Sequence, residues 1–200
     1  AASWMGPVGR YTGGRCPDQS FLEMAAGAAA IFEGSPVRRR DVSAVVVGSQ
    51  NPAAFSGVDN TAAKIAGMLG ISGAKSVLID TASSSGASAF ENAYLEVASG
   101  QHDHVLAIGI QKMSDASTLD ATRIIAGVID RNEAEYGLTM PACGALVARS
   151  LQRRLGLSDA EWSAYSALLT QRSHRFSSAN PLAHLRNPIP VEDYFAQVAS

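Results

Sequence analysis

Cysteine, charge and long apolar runs are all scarce in this chain. Only two cysteines, Cys16 and Cys143, occur in 200 residues. That is too few for a disulfide framework, so a cytoplasmic location with two structural thiols is expected. Asp, Glu, Lys and Arg make up 17% of the residues, against about a quarter in an ordinary soluble domain. With 46% hydrophobic residues beside them, this excludes a disordered chain and calls for elements covered on more than one side. The formal net charge of -2 leaves no basic footprint for nucleic acid or an anionic membrane. Apolar stretches such as AVVVG and VLAIGI fall far short of the ~20 residues that span a bilayer. The opening AASWMGPVGR has no basic segment followed by an apolar one, so no secretory leader is expected. The four histidines and two cysteines lack zinc spacing, and G-x-S-x-G, Walker A and G-x-G-x-x-G patterns do not occur. No resident cofactor or metal is expected.

What is there alternates between strand and helix. Ser20 and Glu23 have capping-box spacing before an apolar stripe that predicts a helix ending near Gly34. The β-branched run from Val42 to Val47 reads as a strand covered on both faces. A helix capped at Asp59, Asn60 or Thr61 follows, with Ile65, Met68 and Leu69 facing inward and Gly70 closing it. A second buried strand is expected at 76–80, a helix from Ala87 to Ser99 and a third strand from His104 to Ile110. This order indicates an α/β layered domain with a mostly parallel sheet. Beyond Gln111 the texture changes, and the segment to Met140 reads as irregular. Two helices are expected next, one from Pro141 to Gly156 and one opening at the Ser158 and Glu161 capping box. The tail from Ser173 has no clear period and reads as loop.

The most informative piece is SVLIDTASSSGASAF. A strand delivers the chain into a turn of small residues that opens a helix near Gly86. Side chains on such a turn sit at a helix N-terminus, where free N–H groups favour negative charge. The geometry suits a nucleophile or an oxyanion site, although Ser83, Ser84 and Ser85 also make ordinary N-caps.

These residues, continued through ENAYLEVASGQHDHVLAIGIQKMSD, resemble the nucleophile segment of the thiolase superfamily. In that family a strand ends in a Cys-x-[Ser/Thr]-Gly turn, followed by a helix, a Ser-Gly pair, an apolar strand and a Gly-x-x-[Lys-Met]-Ser sequence. Ser83 to Gly86, Ser99-Gly100, HVLAIGI and Gly109 to Ser114 are the matching stretches. NTAAKIAGMLGI upstream and YGLTMPACGALVAR downstream match as well. SHRFSSANPLAHLRNPIPVED is similar to the Asn-His-Arg-x-x-x-x-Asn-Pro stretch of the family's loop domain, with Ser173 where Asn is usual. The resemblance covers nearly the whole chain from Asp18. It is nearest the group related to sterol carrier protein X, some of whose members work beside OB-fold, zinc-ribbon acyl-CoA-binding partners.

The resemblance implies a thiolase-like α/β core over 1–112 and an inserted, mainly helical loop domain over 113–200. Nothing matches the family's C-terminal half, which carries its Asn-His oxyanion element, its Gly-His-Pro histidine and its second catalytic cysteine. The family nucleophile falls on Ser83. Met140, His174 and Arg175 fall where the family faces its substrate, a coenzyme A thioester, and basic residues such as Arg149, Arg172 and Arg186 lie in the same region.

A helix terminus supplies roughly 0.3 to 2 kcal/mol to a nearby anion. That is about one pKa unit, enough to help a thiol near ~8.5 ionise but of little use to an alcohol. A serine nucleophile needs an adjacent base, and the candidates are His102, His104, His174 and His184. The first two read as residues of a solvated turn, the others as packing or CoA-facing residues. Ser83 therefore implies one of three situations: an engineered substitution that traps a complex, a retro-aldolase that needs no acyl-enzyme, or an inactive subunit beside an active one. The expected function is that of an acyl-CoA enzyme that forms or cleaves a carbon–carbon bond. The alternative is a non-catalytic subunit that scaffolds an active thiolase or an OB-fold partner. Either way an oligomer is expected.

Overall fold

A computed structural model describes residues 1–10 and 18–198, with Cys16 outside the described residues. Two compact units are present, one formed by Ala1–Gly6 and Tyr11–Ile124, the other by Pro7–Arg10 and Ile125–Ser200.

The first unit is a three-layer α/β sandwich. The capping box forms as expected: Ser20 Oγ accepts from the Glu23 N–H, and the Glu23 carboxylate accepts from the Ser20 N–H. Helix α1 then runs only over Phe21–Ala26 before tightening into a 3-10 stretch, Gly27–Phe32. Strand β1 is Ala44–Gly48, helix α2 is Pro52–Ser56 and helix α3 is Thr61–Met68. Strand β2, Lys75–Ile79, leads to α4, Ser85–Ala98, and on to β3, Val105–Gly109. All three strands are parallel in the order β2-β1-β3, with Gly48 in register with both Ile79 and Gly109.

Central β1 is buried at all five positions, as its β-branched run requires. Val45 and Val47 pack with Phe21, Ile65, Leu69, Leu106 and Ile108 on the face covered by α1 and α3. Val46 packs with Ala89 and Ala93 of α4 on the other face. Two expectations fail here. Strand β2 is an edge strand with Leu78 exposed, because its one neighbour is β1. Met68 is exposed as well, since it lies roughly 100° around the helix from the centre of the stripe of Ala62, Ile65, Ala66 and the C-cap Leu69 that packs on the sheet.

Between Gln111 and Met140 the chain is more helical than its composition suggests. Helix α5 spans Thr118–Ala126 and α6 spans Arg131–Glu135. Ser117 and Asp130 start them as side-chain caps, their oxygens accepting from Asp120 N and Asn132 N.

In the second unit, α7 runs over Met140–Leu155 and ends at left-handed Gly156, while α8 runs over Asp159–Ala179 behind the Ser158 and Glu161 capping box. Buried Gln152 joins them. It donates to the Leu157 carbonyl and to Asp159 Oδ1, and accepts from Arg149. Helix α8 continues through Ser173, His174 and Arg175, which the sequence places in a loop, and the tail forms a further helix, α9, at Val191–Val198. Within α8 the Ser173 hydroxyl donates back to the Leu169 carbonyl one turn earlier. No helix among the described residues is long and apolar enough to cross a membrane.

Candidate active site at the carboxyl edge of the sheet

The three strands end level at Gly48, Ile79 and Gly109. Chain connections leave β1 toward β2 and return across the sheet to β3, so the order reverses at this edge, where α/β sheets form ligand crevices. Gly48 lets α4 start directly over the edge. A Cβ there would overlap the Ser85 carbonyl, whereas one on Gly109 would stand 3.5 Å from the Gly86 Cα, an ordinary contact.

The turn from β2 into α4 is held by its own hydroxyls. Ser85, buried, donates from Oγ to the Ala82 carbonyl at 2.6 Å and accepts from the Thr81 N–H at 3.0 Å. Ser84 donates to the Thr81 carbonyl at 2.8 Å, and Thr81 Oγ1 meets Ser88 Oγ at 2.9 Å. Among the described residues the Ser83 hydroxyl has no hydrogen-bond partner, and the residue is exposed within a single 3-10 turn, Ala82–Ser84, at the head of α4. Of the three serines that the sequence offers as N-caps, none caps by its side chain: Ser84 occupies the N-cap position without a cap bond, and Ser85 opens the helix.

Around this turn lies a network that the sequence reading passes over. Asp80 accepts from the Asn51 N–H and the Ala82 N–H, both within 3.0 Å. Gln111 Oε1 accepts from the Gln50 N–H at 2.9 Å and from Ser49 Oγ at 3.2 Å. The side-chain NH2 groups of Gln50 and Gln111 are buried without partners. Lys112, buried, places its ammonium 2.5 Å from Asp115 Oδ1 at the start of the following loop. One signal was available: VVVG and LAIG are paired strand ends that finish on glycine, a residue that marks close backbone approach.

His102 and His104 are at the other end of β3. His102 is not a residue of a solvated turn. Its side chain is 18% exposed, Nδ1 lies 2.9 Å from Ser43 Oγ, and Nε2 lies 3.3 Å from Glu96 Oε2 without hydrogen-bond alignment. Glu96, itself buried on α4, also pairs with Lys75. The histidine is a strut at the amino edge of the sheet, held by charges that the sequence alone does not bring together. Arg38, Arg39 and Arg40 lie on a polar turn before β1, where Arg38 pairs with Asp41 at 2.9 Å.

In the second unit, Met140 is the first residue of α7, partly buried behind the Thr139 cap, which accepts from Ala142 N. His174 Nδ1 donates to the Asn187 carbonyl at 2.9 Å. Arg175 is exposed, its guanidinium 5.7 Å from the centre of the Phe176 ring. No described hydrogen bond or ion pair links these three residues to one another. Among the described residues no group of three or more His, Cys, Asp and Glu side chains is placed to hold a metal ion.

The chain matches the family model for the thiolase N-terminal domain over residues 1–195. It is 32% identical over 178 residues to an acetyl-CoA acetyltransferase of Methanothermobacter thermautotrophicus, covering 88% of this chain and 45% of that protein. An acetyl-CoA acetyltransferase of Methanocaldococcus jannaschii is also 32% identical over 178 residues, covering 88% of this chain and 44% of its own length. The chain thus spans a little under half the length of these curated relatives. With a parallel sheet, a serine-rich turn at its carboxyl edge and this extent of similarity, the chain belongs to the thiolase family and corresponds to its N-terminal domain.

Proposed function

We propose that this chain is the N-terminal part of a thiolase-like acyl-CoA enzyme that forms or cleaves a carbon–carbon bond next to a thioester, with Ser83 at the position of the family's nucleophilic cysteine. The free hydroxyl of Ser83 carries this reading. Thr81, Ser84, Ser85 and Ser88 spend their hydroxyls on the turn, whereas Ser83 alone projects unpaired from the head of a 14-residue helix. Unpaired N–H groups and the helix dipole favour negative charge there by roughly 0.3 to 2 kcal/mol.

Within the described residues of the first unit no histidine pairs with the Ser83 hydroxyl. The two histidines of the first unit flank the amino end of β3, and His102 is engaged by Glu96 and Ser43. A hydroxyl without an adjacent base is a weak nucleophile at neutral pH. Ser83 therefore serves to orient a bound thioester, which is the reading of a retro-aldolase-like member or of a chain paired with an active one. Arg175, whose guanidinium is exposed, and Met140 and His174, which fall in stretches that resemble the family's substrate-facing ones, are the residues proposed for coenzyme A. The exposed α4 residues Phe90, Tyr94 and Val97 support association with another thiolase-like chain. An OB-fold acyl-CoA-binding partner belongs to the same proposal.

The test uses the full protein with any chain that co-purifies with it, and compares it with its Ser83→Cys variant in the presence of acyl-CoA labelled in the acyl group. In the variant the thiolate attacks the thioester carbonyl, the carbon–sulfur bond to coenzyme A breaks, and coenzyme A leaves and takes up a proton. Stable label on residue 83 of the variant and none on the parent supports the proposal. Label on Ser83 itself contradicts it. If neither protein takes label or binds acyl-CoA, the scaffold reading replaces it.

A further inference from the structure

Asp80 uses both carboxylate oxygens on backbone N–H groups, and both groups belong to residues in the left-handed conformation. Oδ2 accepts from Asn51 N at 2.9 Å and Oδ1 accepts from Ala82 N at 3.0 Å. Asn51 has φ of 43° and Ala82 has φ of 54°. Asparagine tolerates that region, but alanine does not, because its Cβ crowds the following carbonyl. A non-glycine residue stays there only when its surroundings over-determine it. At Ala82 the restraints are visible on both sides, with the N–H held by Asp80 and the carbonyl held by the Ser85 hydroxyl. The next residue in the chain is Ser83.

We infer that Asp80 is a positioning residue for Ser83: its carboxylate locks Ala82 in the left-handed conformation and, through the α2 N-cap Asn51, ties the serine turn to the turn that follows β1. Rotation of Ala82 to negative φ redirects the chain at Ser83 and takes its side chain away from the head of α4. Ser85 holds the Thr81 N–H and the Ala82 carbonyl, whereas the Ala82 N–H itself is held by Asp80. The inference rests on Ser83 being the site residue proposed above, but its test does not require acyl-CoA.

The reporter is the thiol introduced by Ser83→Cys, in a full chain also carrying Cys16→Ser and Cys143→Ser. Its alkylation by iodoacetamide is followed from about pH 6 to about pH 10, the range in which thiols ionise. Adding Asp80→Ala is expected to slow alkylation at neutral pH about fivefold or more, the scale set by the cost of left-handed alanine. Removing a negative charge would by itself make a nearby thiol ionise more readily, so slowing cannot come from the lost charge. Adding Ala82→Gly to Asp80→Ala is expected to restore the rate to within about twofold, because glycine adopts positive φ without help. Asp80→Asn keeps one acceptor oxygen and should fall between. Unchanged or faster alkylation in Asp80→Ala, or no rescue by Ala82→Gly, overturns the inference. If Asp80→Ala does not fold, Asp80→Asn with and without Ala82→Gly carries the same comparison. Normal alkylation behaviour with no acyl transfer would sink the proposed function and leave the positioning role standing.

Discussion

Gly48 meets the carbonyl of Ser85 so closely that no Cβ fits between them. This contact sets how deep the head of α4 sits over the sheet, and with it the height of the serine turn. Both partners are backbone groups in regular elements, so neither can yield by changing a rotamer.

Gly48→Ala should therefore destabilise the protein by about 1 to 3 kcal/mol, the usual cost of overpacking a filled site. Urea denaturation provides the measurement. A variant as stable as the parent would show that the strand end and helix head separate freely. Gly57→Ala is not a suitable control because Gly57 is left-handed. Gly67→Ala is, since open space surrounds a Cβ there and alanine favours the helix.

Glu96 closes the opposite edge. Its carboxylate pairs with Lys75 and faces His102 from a buried position. Glu96→Ala leaves a largely buried imidazole and a half-exposed ammonium without their anion. The expected loss is about 1 to 3 kcal/mol, with no change in the reactivity of a thiol placed at residue 83. Chemical denaturation and the alkylation assay together check this. A large drop in alkylation would mean that the two sheet edges are coupled.

Acid stability should depend on Asp41. Hydrogen bonding from the Arg38 side chain, then from its backbone N–H, lowers the Asp41 pKa from 3.8 to about 2. The folded pKa is below the unfolded one, so the unfolded state binds more protons between those values. This stabilisation is complete above about pH 4 and disappears as the pH falls toward 2. Asp41→Asn should flatten the acid limb of a stability profile in that window and leave its slope above pH 5 unchanged. The Glu23 and Glu161 caps, lowered in the same direction by Ser20 and Ser158, add to the same limb, so the limb should not vanish entirely.

The sequence alone determined whatever depends on near neighbours. The capping boxes at Ser20 and Ser158 form because their partners stand three residues away. The β-branched run through Val45–Val47 makes a buried central strand, and Gly70, Gly100 and Gly156 take positive φ at helix ends as their positions predict. Ser83 was legible as a turn residue at a helix head. Contacts between distant segments were not legible. That β1 is central with β2 and β3 at the edges, that His102 meets Glu96 and Ser43, that α8 extends through His174, and that Asp80 grips residues 51 and 82 were decided by tertiary structure. Periodicity reports which face of an element is apolar, whereas strand order and the packing of α4 decide which residues that face meets. The free hydroxyl at Ser83 is of the second kind: four hydroxyls crowd the same turn in sequence, and only folding shows which three-dimensional neighbours leave one of the serines unpaired.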